Sequence, residues 1–237
     1  MFPNQSPRSV FHMIGLLMCL VSSLLLMMPA LGDDKSKDEE TLRNASTVLS
    51  AMLEGGNVPT DLLAKANCVI VLPGVKKVGF GVGGSGGRGP MSCRGGKDFG
   101  GTWSAPAMYS VGGASVGLQI GASSSDFVLL VMTQNGVDAL LKNKTELGTN
   151  ASAAAGPSGA TSTGTGTDIL TYGRAKGLFA GATLGAASLE ADNDANKRLY
   201  DKAITATEVV TGNAVQATPG GNSLVSLLNS KIPKHSA

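Results

Sequence analysis

Residues 78–90 read VGFGVGGSGGRGP, and the reading of their glycines decides the fold. The dinucleotide fingerprint G-x-G-x-x-G fits in three registers, starting at Gly79, Gly81 and Gly84. That motif needs a strand, a tight glycine turn and a helix whose free N–H groups meet a pyrophosphate. Here Pro90 follows, and Gly95, Gly96, Gly100 and Gly101 fill the window where the helix would propagate, each costing about 1 kcal/mol against alanine. The Walker pattern fails too, since Asp98 follows Gly96-Lys97 and Met91 stands where its first glycine belongs. A period of two accounts for the glycines instead. Val78, Phe80 and Val82 alternate with Gly79, Gly81 and Gly83, giving a strand with one apolar face and one face of bare backbone. Such a glycine face suits a tight bend or the close approach of another backbone.

The pattern recurs along the chain. Ala114, Val116, Leu118 and Ile120 alternate with Ser115, Gly117, Gln119 and Gly121, and Gly177, Gly181 and Gly185 stand four apart in GLFAGATLG. Three glycine-faced strands predict an α+β fold: a strongly curled antiparallel, barrel-like β-sheet with N-terminal and C-terminal helices packed on it. The first helix runs through DDKSKDEETLRNASTVLSAMLE and stops at Gly55-Gly56, with Leu42, Ala45, Leu49, Met52 and Leu53 as its apolar stripe. A helical turn follows Thr60. CVIVL is a buried strand ended by Pro73-Gly74, and a glycine hairpin leads to Cys93. A turn at SSSD separates the long alternating strand from FVLLVM, a continuous apolar run expected to be buried on both faces. NGVDALLK is a short helix capped by Asn135, and DANKRLYDKAITATEVVTG an amphipathic helix ending at Gly212. By composition, GTNASAAAGPSGATSTGTGT reads as a flexible linker.

The chain has 237 residues and a formal net charge of +2, so nothing global points to nucleic acid. Arg8, the apolar run from Val10 to Met28 and the small residues Ala30 and Gly32 read as a secretory signal over residues 1–32, leaving residues 33–237 as a single domain. An uncleaved anchor is the alternative, because the run approaches the length that spans a bilayer. The expected location is therefore exported, periplasmic or secreted, with membrane association. Cys19 falls within the signal. Cys68 and Cys93 remain and are most simply one disulfide, with two buried free thiols as the alternative.

Catalytic residues are scarce. The only histidines are His12, in the signal, and His235, near the C-terminus, so Ser-His-Asp, Cys-His and Cys/His metal schemes lack their base or ligand. DNDANK begins like a calcium loop, but Lys197 stands at the glycine position and Ala203 at the bidentate position, which favours a turn leading into a helix cap. No catalytic residue, metal or cofactor is expected. A hydrolase acting through Glu190 and Asp192 lacks a paired-acid spacing.

Several segments together resemble one family. AKANCVIVLPGVKKVGFGVGG, SCR, GTWSAPAMYSVGGASVGLQIGASSSDFVLLVMT, ASAAAGPSG, YGRAKGLFAGATL and ANKRLYDKAITATEVVTG stand in the order seen in the SYLF domain, over roughly Glu39 to Gly212. The resemblance implies binding of phosphoinositides or other anionic lipids and, in eukaryotic members, contact with actin. It also implies that ASAAAGPSG is an ordered strand and turn, against the linker reading. This chain departs from the pattern with Ala160 where a basic residue often follows the GPxG turn, which removes a phosphate contact, and with Asp201 where glycine often follows the tyrosine. An exported chain does not meet the actin or the cytosolic phosphoinositides of its own cell, so both are set aside, and actin is not expected as a partner.

The resulting expectation is non-enzymatic binding of an anionic phospholipid or membrane surface. The headgroup contacts would be Lys76, Lys77, Arg88, Arg94, Lys97, Arg174 and Lys176, basic residues beside glycine-faced strands that combine side-chain charge with backbone N–H groups. Trp103, with Phe99 and Tyr109 near it, is read as a core aromatic ahead of an interfacial one. The alternative function is a self-associating structural envelope protein whose sheet edges pair with copies of itself as a homo-oligomer.

Overall fold

The computed structural model describes residues 31–142, 144–156, 166–175, 178–180, 187–211, 214–232 and 235. Residues 1–34 and 35–237 form separate units, and the second carries the sheet. Two very long strands dominate it, β1 (Cys68–Cys93) and β2 (Ala107–Val131), paired antiparallel from Cys68↔Val131 to Met91↔Ala107. A straight strand of this length would extend roughly 85 Å. Instead the Cα atoms of Cys68 and Cys93 lie 4.0 Å apart and their side chains form the expected disulfide. The ribbon is coiled until the two ends of one strand meet.

Two irregularities bend it. Between Leu72 and Val75, β1 carries one residue more than β2, and Gly74 takes a left-handed φ of 60° there. Between Phe80 and Val82 the excess lies on β2, whose partners step from Ile120 to Val116. Extra residues on one strand sharpen twist and bend locally. Closure then depends on missing side chains. A Cβ on Gly89 would lie 1.9 Å from the Val71 carbonyl oxygen, and one on Gly87 would lie 2.9 Å from Val75 Cγ2. Arg94 N–H donates to the Asn67 carbonyl at 2.9 Å, joining the two ends. At Gly87 and Gly89 the missing side chains thus serve close approach of β1 to its own beginning.

Continuity corrects two expected breaks. Pro73-Gly74 does not end a strand and no hairpin precedes Cys93; both lie within β1. The SSSD segment is likewise strand, inside β2. The third glycine-faced strand falls largely outside the described residues, which include β6 (Leu178–Ala180) but not Gly177, Gly181 or Gly185.

Among the described residues five further strands complete a seven-stranded sheet: β3 (Lys144–Glu146), β4 (Ala153–Ala155), β5 (Ile169–Ala175), β6 and β7 (Ser188–Ala191), ordered β3-β7-β2-β5-β4 with β1 on β2 and β6 on β5. The two halves of β2 take different partners, Ser125–Val131 pairing β5 and Tyr109–Gly112 pairing β7. Pairing is antiparallel except for β4 on β5. Ala153–Ala155 is therefore ordered, as the family resemblance implies and composition does not, while residues 157–165 lie outside the described set.

Alternation gives this sheet two apolar faces. The inner face carries Ile70, Leu72, Val75, Phe127 and Leu129, closed by α3 (Gln134–Leu140) and α5 (Ala206–Thr211). The outer face carries Val69, Val71, Val128, Leu130 and Leu170 under α1 (Leu31–Glu54), α2 (Thr60–Lys65) and α6 (Pro219–Lys231). Phe127–Val131 is buried on both sides, as its unbroken apolar run requires. Ala45, Leu49 and Met52 of α1 are fully buried, and each large side chain contributes about 1.5–3 kcal/mol.

The helix ends differ in detail from the expectations. Thr133, not Asn135, caps α3 by accepting from Gly136 N–H. Asp192 caps α4 (Asn193–Tyr200), so DNDANK is the expected cap, but the helix stops at Asp201, which is left-handed at φ 54°. That conformation is one glycine adopts most readily, as the family resemblance implies here, and it splits the amphipathic helix into α4 and α5. The periodicity reading does not reach α6, whose start is fixed by Thr218 and by Glu39 Oε2, which accepts from Gly220 N–H at 2.6 Å.

Asp168 ties β2, α3, β4 and β5 together. Its carboxylate accepts from the Thr133 hydroxyl, from Asn135 Nδ2 at 3.1 Å and from both the N–H and the hydroxyl of Ser152 at 2.9 and 2.8 Å. Burial pushes this carboxyl up, but the bonds from Thr133, Ser152 and Asn135 outweigh it and hold its pKa below the ordinary value.

Two outcomes follow for stability. Gly89→Ala should destabilise by on the order of 3 kcal/mol or more in urea denaturation, because a backbone carbonyl blocks the new methyl. Gly86→Ala, whose Cβ meets nothing nearer than 3.9 Å, is the control. Equal effects would mean that the crossing is not tight. Asp168→Asn should cost about 1–3 kcal/mol at neutral pH. A depressed folded pKa stabilises above the unfolded value near 3.9 and loses that stabilisation as pH falls through the folded one. The gap between wild type and variant should therefore narrow below about pH 4. A gap that stays constant through that range would remove Asp168 as the ionised hub.

Candidate functional site

Six of the seven basic residues expected to hold a headgroup are among the described residues, and these six do not form one cluster. Side-chain alternation separates neighbours: Lys76 pairs with Ser124 and Lys77 with Ser123, so they point to opposite faces of the ribbon. Lys76 is exposed on the outer face, where Asp126 and Arg174 are also cross-strand partners. Lys77 is half-buried on the inner face, its Nζ 5.7 Å from the centroid of Phe127. Lys97 is exposed in a short 3-10 turn, Lys97–Phe99, and Lys176 lies outside the described residues.

Arg88 and Arg94 are spent on structure. Arg88 donates to Asp38 at 2.6 Å and to Asp192 at 2.9 Å, and Arg198 donates to the other Asp38 oxygen at 2.8 Å. Asp38 is fully buried on the α1 stripe, so these two arginines compensate a carboxylate that would be costly alone. Arg94 is buried against Trp103, its guanidinium 4.4 Å from the ring, and donates to Ile232 O at 2.9 Å. Trp103 Nε1 donates to the same carbonyl at 3.3 Å. The pair clasps the end of α6, and burial lowers the Arg94 pKa. Trp103 is the expected core aromatic. Tyr109 is also buried, and its hydroxyl donates to Leu140 O at 3.1 Å.

What remains is the bend of the ribbon and the outer face behind it. Moving outward, the sheet is dry at Tyr172, whose hydroxyl pKa is pushed up to about 12 by burial and then by the Asp61 carboxylate. It turns polar at Arg174, whose Nε lies 3.6 Å from Asp126. Asp126 also accepts from Gly74 N–H at 2.9 Å, so this carboxylate on the Lys76 face already has two partners. Beyond lie Lys76, Ser124 and Val78, which is 59% exposed. The sequence reading missed Val78 because its alternation with glycine suggested a core face. It missed Asp38 although a charged residue four positions before Leu42 falls on the buried stripe and so signals a partner.

A cleft of about 420 Å³ lined by Ser110, Glu190, Ala191, Asp192, Asn193 and Asp194 is the place where an acid pair would act. Its Asp192 is held by Arg88 and caps α4. Among the described residues no group of three His, Cys, Asp or Glu is arranged to hold a metal. No helix among them is long and apolar enough to cross a membrane.

Comparison with known proteins agrees with the segment order. A family model described as Ysc84, Las17-binding protein actin regulator, matches residues 112–231. An SH3 domain-containing protein of Schizosaccharomyces pombe is 36% identical over 183 residues, 74% of this chain and 41% of that protein. LAS seventeen-binding protein 3 of Saccharomyces cerevisiae is 31% identical over 182 residues, 73% of this chain and 39% of that protein. SH3 domain-containing YSC84-like protein 1 of Mus musculus is 30% identical over 211 residues, 86% and 61% of the two chains. This chain thus spans between about two fifths and three fifths of the relatives it matches. The family is described by Las17 binding and actin regulation, and LAS seventeen-binding protein 3 is named for binding; neither name is that of a catalytic activity. These names overturn the expectation that set actin aside, which rested on the signal reading alone. With the coiled sheet, the segment order and the matched residues in agreement, the chain belongs to the Ysc84/SYLF family.

Proposed function

We propose that this chain is a non-catalytic binding module that attaches to anionic phospholipid surfaces through the bend of its β1–β2 ribbon. The observation that carries the reading is Lys76: exposed, without an ion pair among the described residues, and facing outward where the neighbouring carboxylate, Asp126, is already engaged. Arg174 adds charge on the Lys76 face and Lys77 on the opposite one, while Ser123 and Ser124 stand across from the lysines as hydroxyl donors. Arg88 and Arg94, committed to Asp38 and to Ile232, leave the set. The second reading is contact with the actin machinery. It is favoured by the family description and by the relatives' names.

Each basic residue near an anionic surface contributes about 1 kcal/mol at moderate salt, so three together amount to about 150-fold in affinity. The triple variant Lys76→Gln, Lys77→Gln, Arg174→Gln should lose most binding to phosphatidylserine-containing vesicles in a flotation assay while keeping its circular dichroism spectrum. Raising salt should weaken the wild type in the same direction. A folded triple variant that floats as well as wild type contradicts the reading. Co-sedimentation with actin filaments in the same buffers tests the second one.

A further inference from the structure

The charge-based reading leaves one feature unexplained. Val78 is the single large hydrophobic side chain exposed among the described residues, and it follows directly on Lys76 and Lys77. Beyond it the register runs Gly79↔Gly121, Phe80↔Ile120 and, past the irregularity, Val82↔Val116. No charged residue stands between Lys77 and Arg88 on β1, nor from Val111 to Ala122 on β2. A ribbon bend without charge, bearing an exposed valine, suits an apolar environment better than water.

We infer that the bend enters the lipid layer, with Val78 below the phosphates and Lys76 and Lys77 forming a collar at headgroup depth. This rests on the membrane reading above and adds to it the mode of contact. Alternation places the two lysines on opposite faces, so positive charge flanks the ribbon on both sides where an anionic surface would meet it. Lys77 is steadied over Phe127, which fixes the collar relative to the sheet. Depth is limited by the backbone. A two-stranded ribbon pairs its N–H and C=O groups only on its inner edges, and unpaired ones are costly in hydrocarbon. Entry therefore stops near the boundary between headgroups and acyl chains, within about 5–10 Å.

The test uses the full chain with the V78W and V78D variants and vesicles of phosphatidylcholine with or without phosphatidylserine. The V78W fluorescence should shift to the blue on phosphatidylserine vesicles and be quenched by lipids brominated high in the acyl chain. Trp103, buried in the core, supplies an unquenched background measured on the wild type. V78D should bind the same vesicles on the order of tenfold or more weakly. Bound V78W without quenching, together with V78D binding like wild type, overturns insertion and leaves the charge-based attachment standing. Failure of the wild type to bind phosphatidylserine vesicles at all overturns both.

Discussion

The close approach of Gly89 to the Val71 carbonyl is the contact on which the remaining architecture depends. A strand that must meet its own beginning needs a place where one backbone lies on another without a side chain between them, and only glycine provides it. Once the ends of β1 are brought together, Cys68 and Cys93 fall within bonding range and Arg94 reaches Asn67. Because β2 follows β1 through the same coil, its two halves diverge and recruit different neighbours, β5 at one end and β7 at the other.

The coil also sets what the helices do. It produces an inner core and an outer core, so helices are needed on both sides of the sheet. On the outer side α1 is held by its apolar stripe and by a buried ionic knot in which Asp38 meets Arg88 and Arg198. Arg94 and Trp103 fasten the far end of α6 with a cation stacked on an aromatic face and two donors to one carbonyl. Two of the most basic-looking positions in the sequence are thereby consumed in closing the fold. The bend of the ribbon is left to present Lys76, Lys77 and Val78.

How much of this was legible follows from the range of each interaction. Short-period signals read well: the alternation of glycine with apolar residues, the α1 stripe, the two-sided burial of Phe127–Val131 and the strand in ASAAA implied by family resemblance. Breaks between elements read poorly. Pro73-Gly74 and Ser123–Asp126 have the composition of turns, yet closure of the coil turns the first into a bulge and keeps the second in register with β1. The partners of the cations were not legible at all, since Arg88 and Asp38 are 50 residues apart and Arg94 and Ile232 are 138 apart. An exposed charge and a buried one look identical until the chain brings their partners in.

The central claim is that β1 returns upon itself, and peptide mapping of unreduced protein tests it most directly. Air-oxidised protein, alkylated under denaturing conditions and digested without reductant, should yield one linked species joining the peptides that contain Cys68 and Cys93. Recovery of both peptides separately, each carrying an alkylated thiol, would contradict the closure described here.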